Sequence, residues 1–248
     1  MIDPMIESGR RGVLFITGTG TGVGKTIVTA AIAALARAAG QRVAVVKLAQ
    51  TGVHDGPGSD LPDLQTVTRL SGVTDTHELA RFPDPLSPEA AARVSGLPPV
   101  DFARAAALIT TLQATRDLVL VEGAGGLLVR YDAAGATLPD LATKLNRQGL
   151  DAPALVVTTA GLGTLNHTAL TLEALAARKL VSAGVVIGSW PDQPGLAELA
   201  NLTDLEVIAG APLAGVLRQG AGALGRQAFL AVATAGLIPS LGGTHGRL

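Results

Sequence analysis

The feature that most constrains the fold of this chain is a glycine-rich segment between an apolar run and a helix-forming stretch. The segment 18–26 reads Gly-Thr-Gly-Thr-Gly-Val-Gly-Lys-Thr and follows the apolar run 13–16. In a strand, loop and helix of this order, consecutive backbone N–H groups converge on phosphate oxygens at the helix N-terminus. Lys25 adds a positive charge, and the Thr26 hydroxyl can join a Mg²⁺ shell. The segment therefore predicts a binding site for a nucleoside triphosphate.

This loop is one residue longer than the common phosphate loop, because five residues separate Gly18 from the Gly-Lys-Thr triplet at 24–26. A glycine-rich turn that binds no ligand is the alternative interpretation. The intact triplet and its flanking strand and helix patterns favour phosphate binding. The longer loop also narrows the choice of family.

Short apolar runs alternate with Ala- and Leu-rich helical segments along the chain. This alternation predicts an α/β protein with the P-loop NTPase fold, a mostly parallel sheet with helices on both faces. Ligands then bind at the carboxyl ends of the strands. The predicted strands are 13–16, 43–46, 118–121, 155–158, 185–187 and 205–208, and the predicted helices are 25–39, 102–113 with Asp101 as N-cap, and 166–178.

Glycine and proline mark the predicted loops, 54–62 and 210–225, and no linker divides the chain. We therefore expect a single domain over 13–240 between an N-terminal tail, 1–12, and a C-terminal tail, 241–248. A 48% hydrophobic content in 248 residues is ample for one core.

Charge and cysteine content exclude several classes of function. A net charge of −1, from 19 basic and 20 acidic residues, predicts no general attraction to nucleic acid or to a membrane surface. The absence of cysteine excludes disulfides, cysteine nucleophiles and thiolate metal sites. Residues 1–12 lack the apolar core of a signal peptide, and the longest uncharged stretch, 152–172, is interrupted by glycines. We expect a cytoplasmic protein.

Charged residues stand where two of the predicted strands end. Lys47 ends the second strand, and Glu122 ends the third strand directly before a glycine-rich turn at 123–126. At the ligand edge of a parallel sheet, Lys47 would face the phosphates and Glu122 would supply a second Mg²⁺ ligand. A solvated strand-end lysine and a strand-end acid beside a tight turn are the alternatives. Asp60 and Asp63 offer another carboxylate, and the residue pattern alone does not rank them.

The segment 161–167 lies between a predicted strand and a predicted helix. Its backbone amides could bind an anion at the helix N-terminus, or Asn166 could simply cap the helix. His167 is interpreted as an ordinary residue of the helix start. We assign no role to the other histidines, His54, His77 and His245.

Together these segments resemble the ATP-dependent dethiobiotin synthetases. The resemblance is carried in order by 18–26, 47–52, 85–88, 121–126 and 163–167, and it spans most of the chain. It implies a C–N ligase of biotin biosynthesis that uses ATP and Mg²⁺ to close a urea ring on 7,8-diaminononanoate with CO₂. The implied route passes through a carbamate and a carbamic-phosphoric anhydride, and it needs no protein nucleophile.

The resemblance also implies roles for individual residues. Lys25 and Lys47 would neutralise charge on the γ-phosphate and carbamate, with Thr21 beside them as the third catalytic residue. The implied Mg²⁺ ligands are Thr26, Asp63 and Glu122, with Asp63 preferred to Asp60 because 64–73 keeps the family's register. The implied nucleotide-binding residues are Gly22, Val23, Gly24, Lys25, Thr26, Ile27, Asp63, Glu122, Gly123, Ala124, Gly125, Gly188, Ser189, Leu217 and Arg218.

Substrate binding is implied to involve two subunits. Thr21, Lys47 and Thr51 would hold the diamine or carbamate end. The amides of Gly161, Leu162, Gly163, Thr164 and Leu165 would receive the substrate carboxylate from the neighbouring subunit of a homodimer.

The chain departs from the family pattern at four positions. Leu48 replaces the proline that follows the lysine, Glu89 replaces the histidine after Ser-Pro, and Gly20 replaces an acidic residue. Gly188 stands where the family commonly offers an asparagine to adenine, which leaves base selection open and admits other nucleoside triphosphates.

Two other classes share the fold and the phosphate loop. A cobyrinate-type amide-forming synthase usually carries a large glutaminase domain, for which 248 residues leave no room. A partitioning or septum-positioning switch ATPase has a signature lysine where Gly20 stands, and no basic or amphipathic membrane-binding tail is apparent here.

Overall fold

The computed structural model of the protein describes residues 12–53 and 61–244. Most of the predicted tail 1–12, most of the predicted loop 54–62, and residues 245–248 of the C-terminal tail lie outside the described residues. The candidate ligand Asp60 and two of the histidines, His54 and His245, lie outside them as well.

A parallel sheet of seven strands forms the centre of the fold, in the order β4-β2-β6-β1-β7-β8-β9. Its strands are β1 (Gly12–Gly18), β2 (Val43–Lys47), β4 (Thr76–Glu78), β6 (Leu118–Glu122), β7 (Ala154–Thr158), β8 (Ser182–Trp190) and β9 (Gly215–Arg218). Two short strands, β3 (Gln50–Thr51) and β5 (Arg81–Phe82), pair separately. The predicted parallel α/β architecture is confirmed.

Eight α-helices of the described residues cover this sheet on both faces. They are α1 (Lys25–Ala38), α2 (Asp63–Ser71), α3 (Pro88–Ser95), α4 (Phe102–Thr115), α5 (Leu138–Arg147), α6 (Thr164–Ala177), α7 (Leu196–Ala209) and α8 (Arg226–Gly236). Alternate residues of β1 enter two different cores: Phe15 belongs to the core that includes residues of α3 to α7, and Ile16 to the core that includes residues of α1, α2 and α8. Burial on both faces explains why the strands are almost continuously apolar.

The predicted helices are confirmed, with changes at their ends. The first is α1, and the second is α4, where the Asp101 carboxylate caps the helix by accepting from Ala103 N at 2.8 Å and Arg104 N at 3.0 Å. The third, α6, begins two residues before the predicted start, at Thr164.

One strand prediction is wrong. The run 205–208 lies in α7, because a short apolar run does not by itself distinguish a strand from a buried helical turn. In this run Leu205 alone is buried, as one face of a helix requires, and Gly210 ends the helix at φ +64°. The last strand is β9 instead, inside the stretch 210–225 that was predicted to be a loop.

The carboxyl ends of β1, β2 and β6 lie side by side. Glu122 pairs in register with Lys47 of β2 on one side and with Ile16 of β1 on the other. The phosphate loop, which follows β1, therefore adjoins both charged side chains. Among the helices described in these two ranges, none has the length and apolar character needed to cross a bilayer.

Candidate active site

The segment between β1 and α1 folds as a tight loop that delivers backbone amides to the start of α1. Gly22 and Gly24 have φ values of +74° and +96°, which residues with a Cβ rarely adopt. A Cβ on Gly24 would also lie 2.7 Å from the carbonyl oxygen of Gly188. No side chain caps α1, so its N-terminus is available to an anion.

Lys25 begins α1 and folds back over the phosphate loop. Its Nζ donates to the carbonyl oxygen of Gly20 at 2.7 Å, and the side chain is largely buried. Burial, followed by the neighbouring charge of Lys47, lowers the pKa of Lys25 to about 8. The acceptor at Gly20 is uncharged, so a bound phosphate would give the Lys25 ammonium an anionic partner and favour its charged form.

Lys47 is the central cation of the site. Its Nζ lies 2.6 Å from Asp63 Oδ2 and 2.7 Å from Glu122 Oε1, and it donates to the carbonyl oxygen of Gly123 at 3.1 Å. Lys47 is only 3% exposed. Burial alone would lower its pKa, but Glu122 and Asp63 outweigh that effect and hold the pKa of Lys47 above its usual value. The ammonium is thus charged and has three acceptors.

Asp63 reaches the site from the first residue of α2. The Asp63 N–H donates to the side-chain oxygen of Gln50 at 2.9 Å, which fixes the start of the helix. Burial opposes ionisation of Asp63, but the Lys47 ammonium outweighs it and lowers the pKa of this carboxyl. Asp63 is therefore an anion that faces Lys47.

Glu122 is almost fully buried and is only partly satisfied. Its Oε1 accepts from Thr26 Oγ1 at 2.9 Å and from Lys47 Nζ at 2.7 Å, whereas its Oε2 is buried without a hydrogen-bond partner. A buried carboxylate oxygen without a partner is costly. The unpartnered oxygen is therefore suited to a cation.

The side chains of Thr26, Asp63 and Glu122 together form a donor set that suits Mg²⁺. This ion prefers oxygen ligands, and it commonly uses one or two carboxylates together with substrate phosphates. Within 12–53 and 61–244, no cluster of three or more His, Cys, Asp or Glu side chains could hold a metal by itself. Two carboxylates and one hydroxyl beside a phosphate loop match the arrangement in which Mg²⁺ is held jointly by the protein and by substrate phosphates.

The turn after β6 faces the phosphate loop. Gly125 has φ +64°, and a Cβ built on it would lie 3.6 Å from Thr21 Oγ1. Thr51 ends β3, and the next residue, Gly52, packs against Pro85. The structure thus brings the segments 18–26, 47–52, 85–88 and 121–126 into one neighbourhood.

The segment 161–165 forms an open helix N-terminus. Gly163 is the N-cap residue of α6 at φ +89°, and no side chain caps this helix. The alternative in which Asn166 caps the helix is wrong, since Asn166 lies inside the first turn. Gly163 takes the cap position, where the backbone is left-handed. The Thr164 hydroxyl is occupied by Thr159 O at 2.6 Å, and Leu162 is 91% exposed.

The residues predicted to meet the base lie near the ends of β8 and β9. A Cβ on Gly188 would lie 2.1 Å from the carbonyl oxygen of Val23, so the close packing of β8 on the phosphate loop leaves no room for a side chain. Ser189 and Arg218 are exposed, whereas the side chain of Leu217 is in the core. Ile27 lies near Gly222, in the 3₁₀ turn Ala221–Ala223 that follows β9.

Sequence reasoning missed three residues that contact this region. Gln50 lies within the segment 47–52, so its position beside Lys47 was a signal. Asn201 of α7 donates to Ala160 O at 2.7 Å and to Gly161 O at 3.2 Å, across a sequence separation that no local pattern spans. Tyr131, whose hydroxyl oxygen accepts from Ala124 N at 2.7 Å, likewise follows no spacing rule.

Comparison with known proteins gives a consistent result. A family model described as AAA domain matches residues 12–219. The chain is 65% identical over 231 residues to the ATP-dependent dethiobiotin synthetase BioD of Frankia casuarinae, covering 93% of this chain and 94% of that protein. The proteins of the same name from Parafrankia sp. and Streptomyces coelicolor are 59% and 55% identical over 231 and 232 residues, and each match covers at least 93% of both chains.

Solved structures with a similar fold are more distant. The septum site-determining protein MinD from Pyrococcus horikoshii, complexed with Mg-ADP, superposes with a TM-score of 0.54 at 18% identity, covering 90% of this chain and 94% of that one. Cell division protein FtsY from Thermotoga maritima gives a TM-score of 0.55 at 17% identity, covering 93% and 71%. These likenesses confirm the P-loop NTPase fold and nothing further.

Proposed function

This chain belongs to the ATP-dependent dethiobiotin synthetase family, and we propose that its reaction takes place in the crevice at the carboxyl ends of β1, β2 and β6. It is a ligase that forms C–N bonds and makes dethiobiotin in biotin biosynthesis with the use of ATP. The observation that carries the proposed location is the buried Lys47, paired with Asp63 and Glu122 beside the phosphate loop.

The proposed substrates are 7,8-diaminononanoate, CO₂ and a nucleoside triphosphate. One amine attacks CO₂ and loses a proton to give a carbamate. A carbamate oxygen then attacks the γ-phosphate and displaces ADP, which leaves a carbamic-phosphoric anhydride. Finally the second amine attacks the carbamyl carbon, phosphate leaves, and the urea ring closes.

In this scheme the protein supplies positions and charge, and no side chain becomes a covalent intermediate. Phosphoryl transfer depends mainly on alignment and on neutralisation of the charge that develops. The amides at the start of α1 and the Lys25 ammonium would hold the phosphates. Lys47 would face the carbamate and the transferred phosphoryl group, and the hydroxyls of Thr21 and Thr51 would orient the carbamate.

Thr26, Asp63 and Glu122 would hold Mg²⁺, which would offset negative charge on the phosphate oxygens. The support is the unpartnered buried Oε2 of Glu122 and the convergence of a hydroxyl and two carboxylates at the phosphate loop. The Lys47 ammonium holds the pKa of Asp63 below its usual range, so this carboxylate is ionised, as cation ligation requires.

The substrate carboxylate would bind at the open N-terminus of α6, in a homodimer. Support comes from the exposed apolar side chains around that terminus: Leu162 at 91%, Leu170 at 56% and Leu128 at 46%. The last two line a shallow apolar hollow together with His167 and Ala174. A second copy that covers this surface would bring the amides of 161–165 close to the phosphate loop of its partner. There they would bind the carboxylate of the substrate that reacts in the partner's site.

One assay tests the assignment of substrates. Phosphate release should require both 7,8-diaminononanoate and dissolved CO₂, because the carbamate is the proposed phosphoryl acceptor and the free amine is not. Rapid release with neither present would contradict the assignment and would favour a switch ATPase.

A further inference from the structure

A single peptide group joins Lys47 to a tyrosine outside the proposed site. The carbonyl oxygen of Gly123 accepts from Lys47 Nζ at 3.1 Å, and the N–H of Ala124 donates to the hydroxyl oxygen of Tyr131 at 2.7 Å. These two groups belong to the same peptide plane. Because that plane is rigid and its C=O and N–H point in opposite directions, the tyrosine hydroxyl determines where the carbonyl points.

The backbone hydrogen bonds of the sheet end just before this peptide. The Gly123 N–H still bonds to Ile16 O of β1 at 3.0 Å, as the last contact of the ladder. Beyond it begins the glycine-rich turn, in which Gly125 is left-handed. Without another partner, the peptide after Gly123 would be free to rotate, since glycine restrains its backbone weakly.

Tyr131 is itself firmly placed. Its side chain is 1% exposed, and its ring lies 5.3 Å from that of Phe102 at the start of α4. Its N–H donates to Ala136 O at 2.8 Å, within a narrow hairpin that leads to the capped start of α5. The Tyr131 hydroxyl therefore has a fixed position, and its hydrogen bond with the Ala124 N–H can hold the turn in one orientation.

We propose that Tyr131 is a positioning residue for the reaction: it orients the Gly123–Ala124 peptide so that the Gly123 carbonyl holds the Lys47 ammonium in its working direction. The proposal rests on the proposed role of Lys47. With the Gly123 carbonyl in place, the three N–H groups of Lys47 have three acceptors, and Gly123 is the uncharged one.

Tyr131 acts here as an acceptor and does not exchange protons with the substrate. Burial raises the pKa of Tyr131 to about 12, so the phenol stays neutral near pH 7. A substitution that removes only the hydroxyl therefore removes the hydrogen bond and no charge.

The test compares Tyr131→Phe, which keeps the ring, with Phe102→Leu, which weakens the ring contact and keeps the hydroxyl. We expect Tyr131→Phe to lower kcat about tenfold with KM for ATP within about twofold, because one hydrogen bond to the peptide is lost. Phe102→Leu should lower the thermal midpoint with kcat within about twofold of wild type. An unchanged kcat in Tyr131→Phe, or an equal loss in both variants, would overturn the proposal.

A double-mutant cycle tests whether Tyr131 acts through Lys47. In the Lys47→Ala background, Tyr131→Phe should change the residual single-turnover rate less than about twofold, because the ammonium it positions is gone. The effects of the two substitutions on the free energy of unfolding should also be non-additive, and this measurement needs no turnover. Additive effects in both measurements would overturn the proposal. Absence of diamine-dependent phosphate release in the wild type would instead overturn the proposed function.

A second variant covers the case in which Tyr131→Phe does not fold. The chain contains one tyrosine, so growth on 3-fluorotyrosine alters residue 131 alone. Fluorine withdraws electrons and weakens the hydroxyl oxygen as an acceptor, so kcat should fall while KM for ATP stays the same. An unchanged kcat in folded, fully substituted protein would count against the proposal.

Discussion

Lys47 and Glu122 are register partners on adjacent parallel strands, and their side chains meet at 2.7 Å where both strands end. The pair is buried, so each charge depends on the other. Removal of one partner from a buried pair typically costs about 3–5 kcal/mol because the remaining charge is left uncompensated. The relationship therefore links the stability of this edge of the sheet to the cation proposed to act in catalysis.

Replacement of this cation should affect turnover more than nucleotide binding. We expect Lys47→Ala to lower kcat by about two orders of magnitude, since its charge acts where negative charge develops during transfer. KM for ATP should change only a few-fold. Steady-state kinetics with Arg42→Ala as control would check this, because Arg42 forms an exposed pair with Asp117 away from the site. An unchanged kcat in Lys47→Ala would remove Lys47 from the mechanism.

The choice between the two candidate aspartates can be tested by the Mg²⁺ requirement. Asp63→Asn should raise the Mg²⁺ concentration that gives half-maximal rate by about tenfold, because one anionic ligand becomes neutral. Asp60→Asn, the matched control, should leave it unchanged. A Mg²⁺ titration of the rate for both variants decides the point, and a larger shift in Asp60→Asn would reverse our assignment.

Mixed dimers test whether a site uses two subunits. Lys25→Ala disables the phosphate side of a subunit, and Gly163→Asp adds a negative charge at the amides proposed to receive the substrate carboxylate. Equal mixing and exchange of these inactive proteins should restore about a quarter of wild-type activity, since half the dimers then hold one intact site. If each subunit contained its whole site, mixing would restore nothing.

Base selectivity should be weak. A glycine at 188 offers no donor and acceptor pair to a base edge, and the 2.1 Å approach of a Cβ to Val23 O explains why no asparagine stands there. We expect CTP, GTP and UTP to support the reaction within about tenfold of ATP, about 1.4 kcal/mol. Comparison of kcat/KM for the four triphosphates is the measurement. A thousandfold preference for ATP would mean that Ser189 or the turn after β9 reads the base.

Acid should weaken the protein partly through the cap of α4. Hydrogen bonds from the amides of Arg104 and Ala103 lower the pKa of Asp101 below its usual value of 3.8. The folded protein thus favours the ionised form, so this stabilisation is complete above that value and is lost as the pH falls below it. Thermal melts should show Asp101→Asn losing less stability than wild type between pH 5 and pH 3, about the range in which the carboxyl titrates. Parallel curves would contradict this.

The parts of the site that the sequence predicted are those determined locally. The phosphate loop follows from its own glycines, and Lys47 and Glu122 were found because a parallel sheet brings the ends of its strands together. The hydrogen bond from the Ala124 N–H to the Tyr131 hydroxyl was not predictable. Tyr131 is placed by a hairpin and by its contact with the Phe102 ring, and both depend on tertiary packing. The prediction of a strand at 205–208 was wrong for a related reason. A run of this length fits a strand or a helical turn, and the packing of Leu205 in the core favours the helix.

Trp190 ends β8 in register with Arg218, and its carbonyl oxygen accepts from the Gln219 N–H. It is the one tryptophan in the chain. Light emitted by the indole of this protein therefore originates beside the strand ends where we expect the base. The unlabelled enzyme carries its own optical reporter there, and each of the four triphosphates can be titrated against the same fluorophore.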